Sequence, residues 1–355
     1  MRARDPLEPV AWVALAGVLA WAAWGALGRA GELLASQERT HAAIALVAWP
    51  LLLGGLALRV RSVLRPGPAR ESAWEDLRRQ FAKSRAATAG LMAAGVLAAL
   101  AVEAPFIAPF DWSTIDVGPQ RLPPSPGHWF GTDEFGRDVF SRCLYGARIS
   151  LTVGFVAVSI SATVGTVVGA CAGYFGGWID RGLMFLTDLL LALPRLVLLL
   201  AVLGLFRFEG PQRVYFIVAM LGATGWMGVA RIVRAQILSL KEQDFVAAAV
   251  SLGLPPARVL GRHLIPNALA PVIVYASLAL GSTILTEASL SFLGLGVPPP
   301  TPTWGVMVTD AKQYLTSAPW IAVFPGLLIL WAVMCFNLVG DGLRDALDPK
   351  LRGRA

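Results

Sequence analysis

The stretch PWIAVFPGLLILWAVMCFNLVG, residues 319–340, contains 22 residues and no Asp, Glu, Lys or Arg. In an α-helix, a run of about 20 apolar residues crosses the roughly 30 Å hydrocarbon core of a membrane. A helix also satisfies every backbone group of such a run internally, so we predict an all-α polytopic membrane protein. Counting this stretch, the candidate spans are about eight: 10–28, 42–58, 87–109, 148–174, 182–206, 214–232, 268–295 and 319–340.

The composition agrees with this class. The chain has 355 residues, of which 56% are hydrophobic and only 15% charged, whereas a soluble domain has about a quarter charged residues. The formal charge of +7 comes from Lys and Arg clustered in a few loops, which indicates membrane orientation and no nucleic-acid partner. Three cysteines without CxxC spacing and three scattered histidines indicate no metal site.

The loop between the second and third spans orients the chain. Its basic residues are Arg59, Arg61, Arg65, Arg70, Arg78, Arg79, Lys83 and Arg85. Because Lys and Arg accumulate in cytoplasmic loops, we place this loop inside. Alternation of the later spans then puts 110–147 and 296–318 outside, puts 233–267 inside, and leaves both termini in the cytoplasm.

The same loop marks a domain boundary, because residues 61–85 mix Pro, Gly, Arg and Glu as linkers do. Residues 1–60 are predicted to form an N-terminal transmembrane hairpin, and 61–85 a cytoplasmic linker. Residues 86–355 are predicted to form a six-span transmembrane domain that includes the cytoplasmic loop 233–267. The first apolar run lacks a small-residue cleavage site, so we expect it to be retained as a span.

Between two spans lies a more polar insert, EQDFVAAAVSLGLPPARVLGRHLIPN, residues 242–267. Its first part predicts a short helix with Phe245, Ala249 and Leu252 on one apolar face. Gly253 suits a left-handed helix terminus, and the two prolines that follow favour the start of a second helix.

The second predicted helix of the insert has an apolar face formed by Val259, Leu260 and Leu264. Pro266 is expected to begin the next membrane helix. A helical hairpin held between two membrane helices is a rigid shape that another protein can bind. The predicted orientation places it on the side of the membrane where ATP is available.

The insert resembles the cytoplasmic loop of permease subunits of ATP-binding-cassette (ABC) importers, in which an EAA triplet precedes a spaced Gly and a later Leu-Pro. The matching positions are Ala248, Ala249, Gly253, Ile265 and Pro266. Ala247 stands where the family has Glu, and Ile265 replaces the Leu. Glu242 or Asp244 could supply the missing carboxylate.

The resemblance extends over residues 86–352 and points to the second-subunit permease of dipeptide and oligopeptide importers. The similar motifs are GTDEFGRDVFSR (131–142), YGARISL (145–151), GYFGGWID (173–180), SLSFLGLGVPPPTPTWG (289–305), APW (318–320) and NLVGDGLRDALDPKLR (337–352). The resemblance implies a six-helix type I permease core in the lipid of the cell (inner) membrane. The implied partners are a second homologous permease subunit, two ABC ATPase subunits and an extracytoplasmic solute-binding protein.

In such importers the cytoplasmic loop docks in a cleft of the ATPase. The docking residues that the resemblance implies are Glu242, Asp244, Phe245, Ala247, Ala248, Ala249, Leu252, Gly253, Arg258, His263 and Pro266. The chain is expected to be no enzyme and to bind no cofactor of its own. None of its four lysines follows a glycine, so it has no GxxxxGK[ST] loop, and HExxH and GxSxG are also absent. ATP is therefore expected to be bound and hydrolysed by partner subunits.

Three of the charged residues within predicted spans are candidates for the substrate path, because charge there is costly and often functional. Asp188 and Arg195 either face the path of a charged substrate or pair with each other, helped by a kink at Pro194. Glu287 either contacts the substrate or hydrogen-bonds to a neighbouring helix.

Two further patterns concern packing and the outer surface. Gly165, Gly169 and Gly173 recur every four residues, which favours close helix packing, with the partner permease as one candidate neighbour. The charged cluster, defined as Asp133, Glu134, Arg137 and Asp138, either contacts the solute-binding protein or caps the helix that follows.

We therefore predict a permease subunit that imports di- or oligopeptides with ATP hydrolysed on its partners. One alternative is the same machine carrying nickel chelates or glycosides. An ATP-independent transporter or channel is the alternative from another class, and it would have no use for a docking hairpin.

Overall fold

The computed structural model describes residues 80–206, 208 and 211–347, and the regular secondary structure within them is helical. The predicted hairpin 1–60, most of the linker 61–85 and the last residues of the chain lie outside this part. The α-helices are α1 Arg85–Val102, α2 Ala104–Ile107, α3 Val139–Phe175, α4 Gly177–Leu191, α5 Arg195–Leu205, α6 Pro211–Ala223, α7 Trp226–Lys241, α8 Asp244–Ser251, α9 Pro256–Arg258, α10 Ile265–Phe292, α11 Trp304–Asp310 and α12 Trp320–Leu347. A π-helical stretch, Val259–Leu264, joins α9 to α10, and a 3₁₀ turn, Ala311–Tyr314, follows α11.

Among the described residues, five helical segments are long and apolar enough to cross a membrane, and α4 with α5 makes a sixth if the bent pair is one span. The five are Arg85–Val102, Val139–Phe175, Gln212–Lys241, Pro256–Phe292 and Trp320–Leu347. Each overlaps a predicted span, so the all-α membrane class is confirmed for the described residues. Several helices are longer than the predicted spans, because hydropathy marks only the apolar part of a helix.

The predicted span 182–206 is not one continuous helix. Helices α4 and α5 meet at an angle of 84°. The break lies at Ala192 to Pro194, where Pro194 has no N–H to donate and disfavours a helical conformation at Leu193. The kink expected at Pro194 is therefore present, and it redirects the chain.

Within the described residues, one compact unit covers 80–151 and 301–335. Trp304, at the start of α11, is completely buried in this unit. Its indole Nε1 donates to the carbonyl of Cys143 at 3.0 Å, and its backbone N–H donates to Ser150 Oγ at 3.2 Å. These bonds attach α11 to the first part of α3.

The charged cluster lies in the same unit, and its two aspartates accept hydrogen bonds from neighbouring residues. Asp138 precedes α3, and its Oδ2 accepts hydrogen bonds from both the backbone N–H and the hydroxyl of Ser141, each at 2.8 Å. Asp133 Oδ2 accepts from Arg137 Nε at 2.6 Å. Asp133, Arg137 and Asp138 are buried, and the bond from the Ser141 N–H confirms the helix-cap interpretation for Asp138.

The other compact unit covers 152–300 and 336–347 of the described residues. In it the three glycines of α3 pack directly against α7. A Cβ atom at Gly165 would lie 2.5 Å from Val229 Cβ, and one at Gly173 would lie 2.9 Å from Ile237 Cβ. The close packing predicted for Gly165, Gly169 and Gly173 is confirmed, and the neighbour is this chain's own helix.

Candidate functional site

The first half of the insert is a short helix, α8, anchored from one side. Val246 and Ala249 are 2% and 5% exposed and join a hydrophobic core with Val259 and Leu264. Residues three apart lie on one side of a helix, so these two side chains fix the rotation of α8 about its axis. Val246 was not among the predicted site residues.

The predicted apolar face of α8 consisted of Phe245, Ala249 and Leu252, and only Ala249 faces the core. Phe245 is 43% exposed and Leu252 82% exposed, while Ala249 is buried. Because the Val246–Ala249 side turns inward, Phe245 and Leu252 are left outward, on the same side as the exposed Ala248. We name Phe245, Ala248 and Leu252 the outer strip. Most other predicted docking residues of the insert are exposed as well: Glu242, Asp244, Ala247, Gly253 and Arg258.

Gly253 ends α8 in a left-handed conformation, as predicted, with φ +73°. Its N–H bonds to Val250 O at 2.9 Å, and the N–H of Leu254 bonds to Ala249 O at 3.2 Å. This pair of bonds is the Schellman motif, which satisfies carbonyl groups at the end of a helix. No atom lies within 4 Å of a Cβ placed on Gly253, so a larger side chain there would project into open space.

The second half of the insert is not a separate helix. From Pro256 the chain is helical to Phe292, and the change at Val259–Leu264 is a change of hydrogen-bond pattern within one rod. The predicted start of a new membrane helix at Pro266 is thus wrong. Pro266 is the second residue of α10 and directly follows the π-helical stretch within this continuous helix.

Polar contacts attach α7, the helix that precedes the insert, to α3 and α4. Arg234 on α7 donates to both carboxylate oxygens of Asp180, at 2.5 and 2.6 Å. Lys241, the last residue of α7, donates to the carbonyl of Tyr174 at 2.9 Å. The predicted docking residue His263 is partly buried, and its carbonyl accepts from Asn267 at 2.6 Å.

The predicted pair between Asp188 and Arg195 does not form. Asp188 instead accepts from Arg231 Nη2 at 2.6 Å, and Arg195 donates to the carbonyl of Leu221 at 3.0 Å. The 84° bend lies between the two residues, so they do not share one helix face. Arg231 was missed from the sequence, although a cation inside a predicted span calls for an acidic partner.

Glu287 lies in the interior of the protein. It is 1% exposed, and its Oε1 accepts a hydrogen bond from Ser291 Oγ at 2.9 Å, one turn along α10. In this conformation a substrate cannot reach the carboxylate.

Arg195 lines a small cavity of about 30 Å³ between helices of the second unit. Hydroxyl-bearing residues form much of its wall, together with small apolar residues. The hydroxyl-bearing residues are Ser161, Tyr275, Ser282 and Thr283. Among the residues that the structure describes, no group of three or more His, Cys, Asp or Glu could hold a metal ion.

Two family descriptions match this chain. Residues 165–353 match the binding-protein-dependent transport system inner membrane component. Residues 72–124 match the N-terminal transmembrane domain of oligopeptide transport permease C. Neither match covers the predicted hairpin 1–60.

Individual relatives cover most of the chain. The dipeptide transport system permease protein DppC of Alkalihalophilus pseudofirmus is 41% identical over 283 residues, which are 79% of this chain and 91% of the relative. The oligopeptide transport system permease protein OppC of Bacillus subtilis is 40% identical over 281 residues, with the same coverage of 79% and 91%. The glutathione transport system permease protein GsiD of Escherichia coli is 41% identical over 298 residues, which are 84% and 97% of the two chains.

The chain therefore belongs to the family of inner-membrane permease components of binding-protein-dependent transport systems. Within that family it is a multi-pass permease subunit of an ABC importer, similar to DppC and OppC.

Proposed function

We propose that this chain is one of two permease subunits of an ATP-driven importer. A second homologous permease subunit completes the path through the membrane. Two ABC ATPase subunits bind and hydrolyse ATP in the cytoplasm, and an extracytoplasmic solute-binding protein delivers the cargo. Both termini and the insert lie on the cytoplasmic side, with the hairpin 1–60 and the linker 61–85 preceding the domain 86–355.

The proposed cargo is a di- or oligopeptide. The relatives are named for dipeptide, oligopeptide and glutathione transport systems, and glutathione is itself built from three amino acids. A machine of the same architecture that carries nickel chelates or glycosides is the alternative, and the names of these relatives do not favour it.

The exposed outer strip of the insert is the observation that carries the proposal. Val246 and Ala249 fix α8 in a core, while Phe245 and Leu252 extend apolar surface away from it. Apolar surface concentrated in this way marks a contact with a partner. We assign that contact to the ATPase.

The anchoring of the insert explains how ATPase closure reaches the membrane. Helix α8 shares its core with α7 and with the start of the Pro256–Phe292 rod. Helix α7 in turn contacts α3 through the glycines and through the Lys241–Tyr174 bond. A force on α8 therefore moves packed helices together as a body, which is the rocking motion that alternating access requires. An ATP-independent channel gains nothing from such a segment.

We assign the ion pair of Asp188 and Arg231 either to the substrate path through the membrane or to the contact with the second permease subunit. Their side chains are 60% and 54% exposed, although both helices are apolar enough to lie in the membrane. Two charges facing lipid are costly, so a water-filled path or a protein partner is the favourable neighbour.

Substitution of Gly253 tests the docking role. Gly253→Ala and Gly253→Trp place a Cβ at the same positive φ, so both carry a backbone strain of about 1 kcal/mol. They differ only in bulk, which projects into open space in the isolated chain. We expect the Trp variant to lose ATP-driven uptake at least about tenfold relative to the Ala variant in the reconstituted complex, as expected if bulk blocks a fitted contact.

The measurement compares uptake and ATP hydrolysis in the same vesicles, with membrane content checked for each variant. Retained hydrolysis with lost uptake supports coupling through the insert. Equal uptake by the Ala and Trp variants would contradict the docking role.

A further inference from the structure

Arg195 brings a cation into one of the most apolar stretches of the protein. It is the first residue of α5, RLVLLLAVLGL, directly after the 84° bend. A charge in a membrane helix is costly and is retained where it faces a cavity, a partner charge or a substrate. The bend at Pro194 directs the side chain toward α6 and α7, where its hydrogen-bond partners lie.

Those partners are neutral. Nη2 donates to the carbonyl of Leu221 at 3.0 Å, and Nε donates to Thr224 Oγ1 at 3.3 Å. Both acceptors lie at the break between α6 and α7, where helix carbonyls lack their usual intrahelical donors. Among the described residues, no carboxylate is within ion-pair distance of Arg195, whereas Arg231 and Arg234 on α7 each have one.

The two bonds hold the guanidinium plane in position, and within the described part of the chain its other N–H groups have no hydrogen-bond partner. An arginine has five N–H groups, and the contacts to Leu221 and Thr224 use two of them. The remaining charge borders the hydroxyl-lined cavity, where Tyr275 and Thr283 belong to the wall contributed by α10. The cavity of about 30 Å³ has room for about two water molecules.

We propose that Arg195 binds a carboxylate of the cargo during translocation, so that this importer favours peptides carrying an accessible carboxylate over their neutral amides. This inference rests on the proposed function, since it needs the cavity to open onto the peptide path. A cargo carboxylate gives Arg195 the negatively charged partner that the described residues do not provide. Arg–carboxylate pairs are among the strongest hydrogen bonds in proteins. The hydroxyl groups around the cavity add neutral donors to the same group.

The test uses the complete transporter in liposomes, containing this chain, its companion subunits and its binding protein. The probes are two matched peptide pairs, Ala-Ala-Ala with its C-terminal amide and Ala-Glu-Ala with Ala-Gln-Ala. For each variant we compare the acid-to-amide uptake ratio with that of the unaltered complex, because the binding protein's own preference then cancels. We expect Arg195→Gln to reduce this ratio about tenfold or more for at least one pair.

Two further variants serve as controls. Arg195→Lys keeps the positive charge and is expected to retain part of the acid preference. Arg213→Gln removes another arginine that donates to a backbone carbonyl, Gly294 O at 3.0 Å, but lies outside the cavity, so its ratio is expected to stay unchanged.

Equal loss of acid and amide uptake in Arg195→Gln would overturn the inference and leave Arg195 a purely structural contact. An unchanged ratio would overturn it as well. If the unaltered complex takes up none of the four peptides with ATP, the peptide-importer proposal itself fails, and that result is distinct from the first two.

Discussion

The charged cluster and the insert are both polar stretches beside membrane helices, and they use their side chains in opposite ways. In the cluster, Asp133 and Asp138 are 3% and 1% exposed and direct their carboxylates at groups of the same segment. In the insert, Phe245 and Leu252 are 43% and 82% exposed and extend away from their own core. A segment that satisfies its side chains internally supports the fold, whereas one that leaves apolar side chains outward is suited to receive another protein.

The largest expected effect separates the two sides of α8. Val246→Asp puts an unpaired charge into the core that anchors the insert, and we expect it to cost about 3 kcal/mol or more of folding free energy. Thermal unfolding of the purified chain in detergent measures this loss.

Phe245→Asp is the matched control, because it places the same charge one residue away on the outer strip. We expect its stability to change by no more than about 0.5 kcal/mol, while ATP-driven uptake falls. Similar unfolding temperatures for the two variants would show that α8 has no anchored side, and the comparison with the charged cluster would fail.

An intermediate effect is expected in the charged cluster. Asp138→Ala removes the acceptor for two Ser141 hydrogen bonds at the start of α3, a loss of about 1–2 kcal/mol for a helix cap. Hydrogen exchange of the first turn of α3 should become faster, while coupling between ATP hydrolysis and uptake is retained in the protein that remains folded. Loss of coupling at unchanged exchange would mean that the cluster is a functional surface and not a cap.

The smallest expected effect is a pH dependence of folding stability that comes from carboxyl groups in and beside the charged cluster. Burial raises the pKa of Glu134 and of Asp310 above their ordinary values of 4.5 and 3.8. Within the described residues, Glu134 Oε2 is also buried without a hydrogen-bond partner. A carboxyl group with a raised pKa binds its proton more tightly in the folded state, so stability falls as the pH rises from the ordinary value through the raised one.

The measurement is the unfolding midpoint at a series of pH values from 4.5 upward. Glu134→Gln keeps the shape and removes the titration, so we expect a flatter profile for this variant. If the unfolding midpoint of Glu134→Gln falls as steeply with pH as that of the unaltered chain, the pH dependence comes from groups other than Glu134.

Apolar runs and local backbone signals were readable from the sequence. The membrane helices overlap the predicted spans, and Gly253 has the left-handed conformation that its place before two prolines indicated. These features depend on residues close together in the chain. Docking by the insert stays a prediction, because it depends on a partner.

Rotations and long-range partners were not readable in the same way. The inward side of α8 is decided by a core to which Val259 and Leu264 contribute, and a helical wheel of residues 244–252 does not contain that information. The pairing of Asp188 with Arg231 depends on the bend at Pro194, whose size the sequence does not specify. Each of these misses involves a contact between elements, where tertiary packing overrides local pattern.

The π-helical stretch Val259–Leu264 changes which side chains of the Pro256–Phe292 helix face the same direction. Successive residues of an α-helix are rotated by about 100°, so side chains five apart diverge by about 140°. Here the N–H of Ile265 reaches back five residues to Leu260 O, and Val259 and Leu264, also five apart, are both fully buried. The wider turn thus rotates the residues that precede it about the helix axis, relative to their positions in a regular α-helix. Deleting one residue from this stretch would swing Val259 out of its core while leaving the amino-acid composition of the rod almost unchanged.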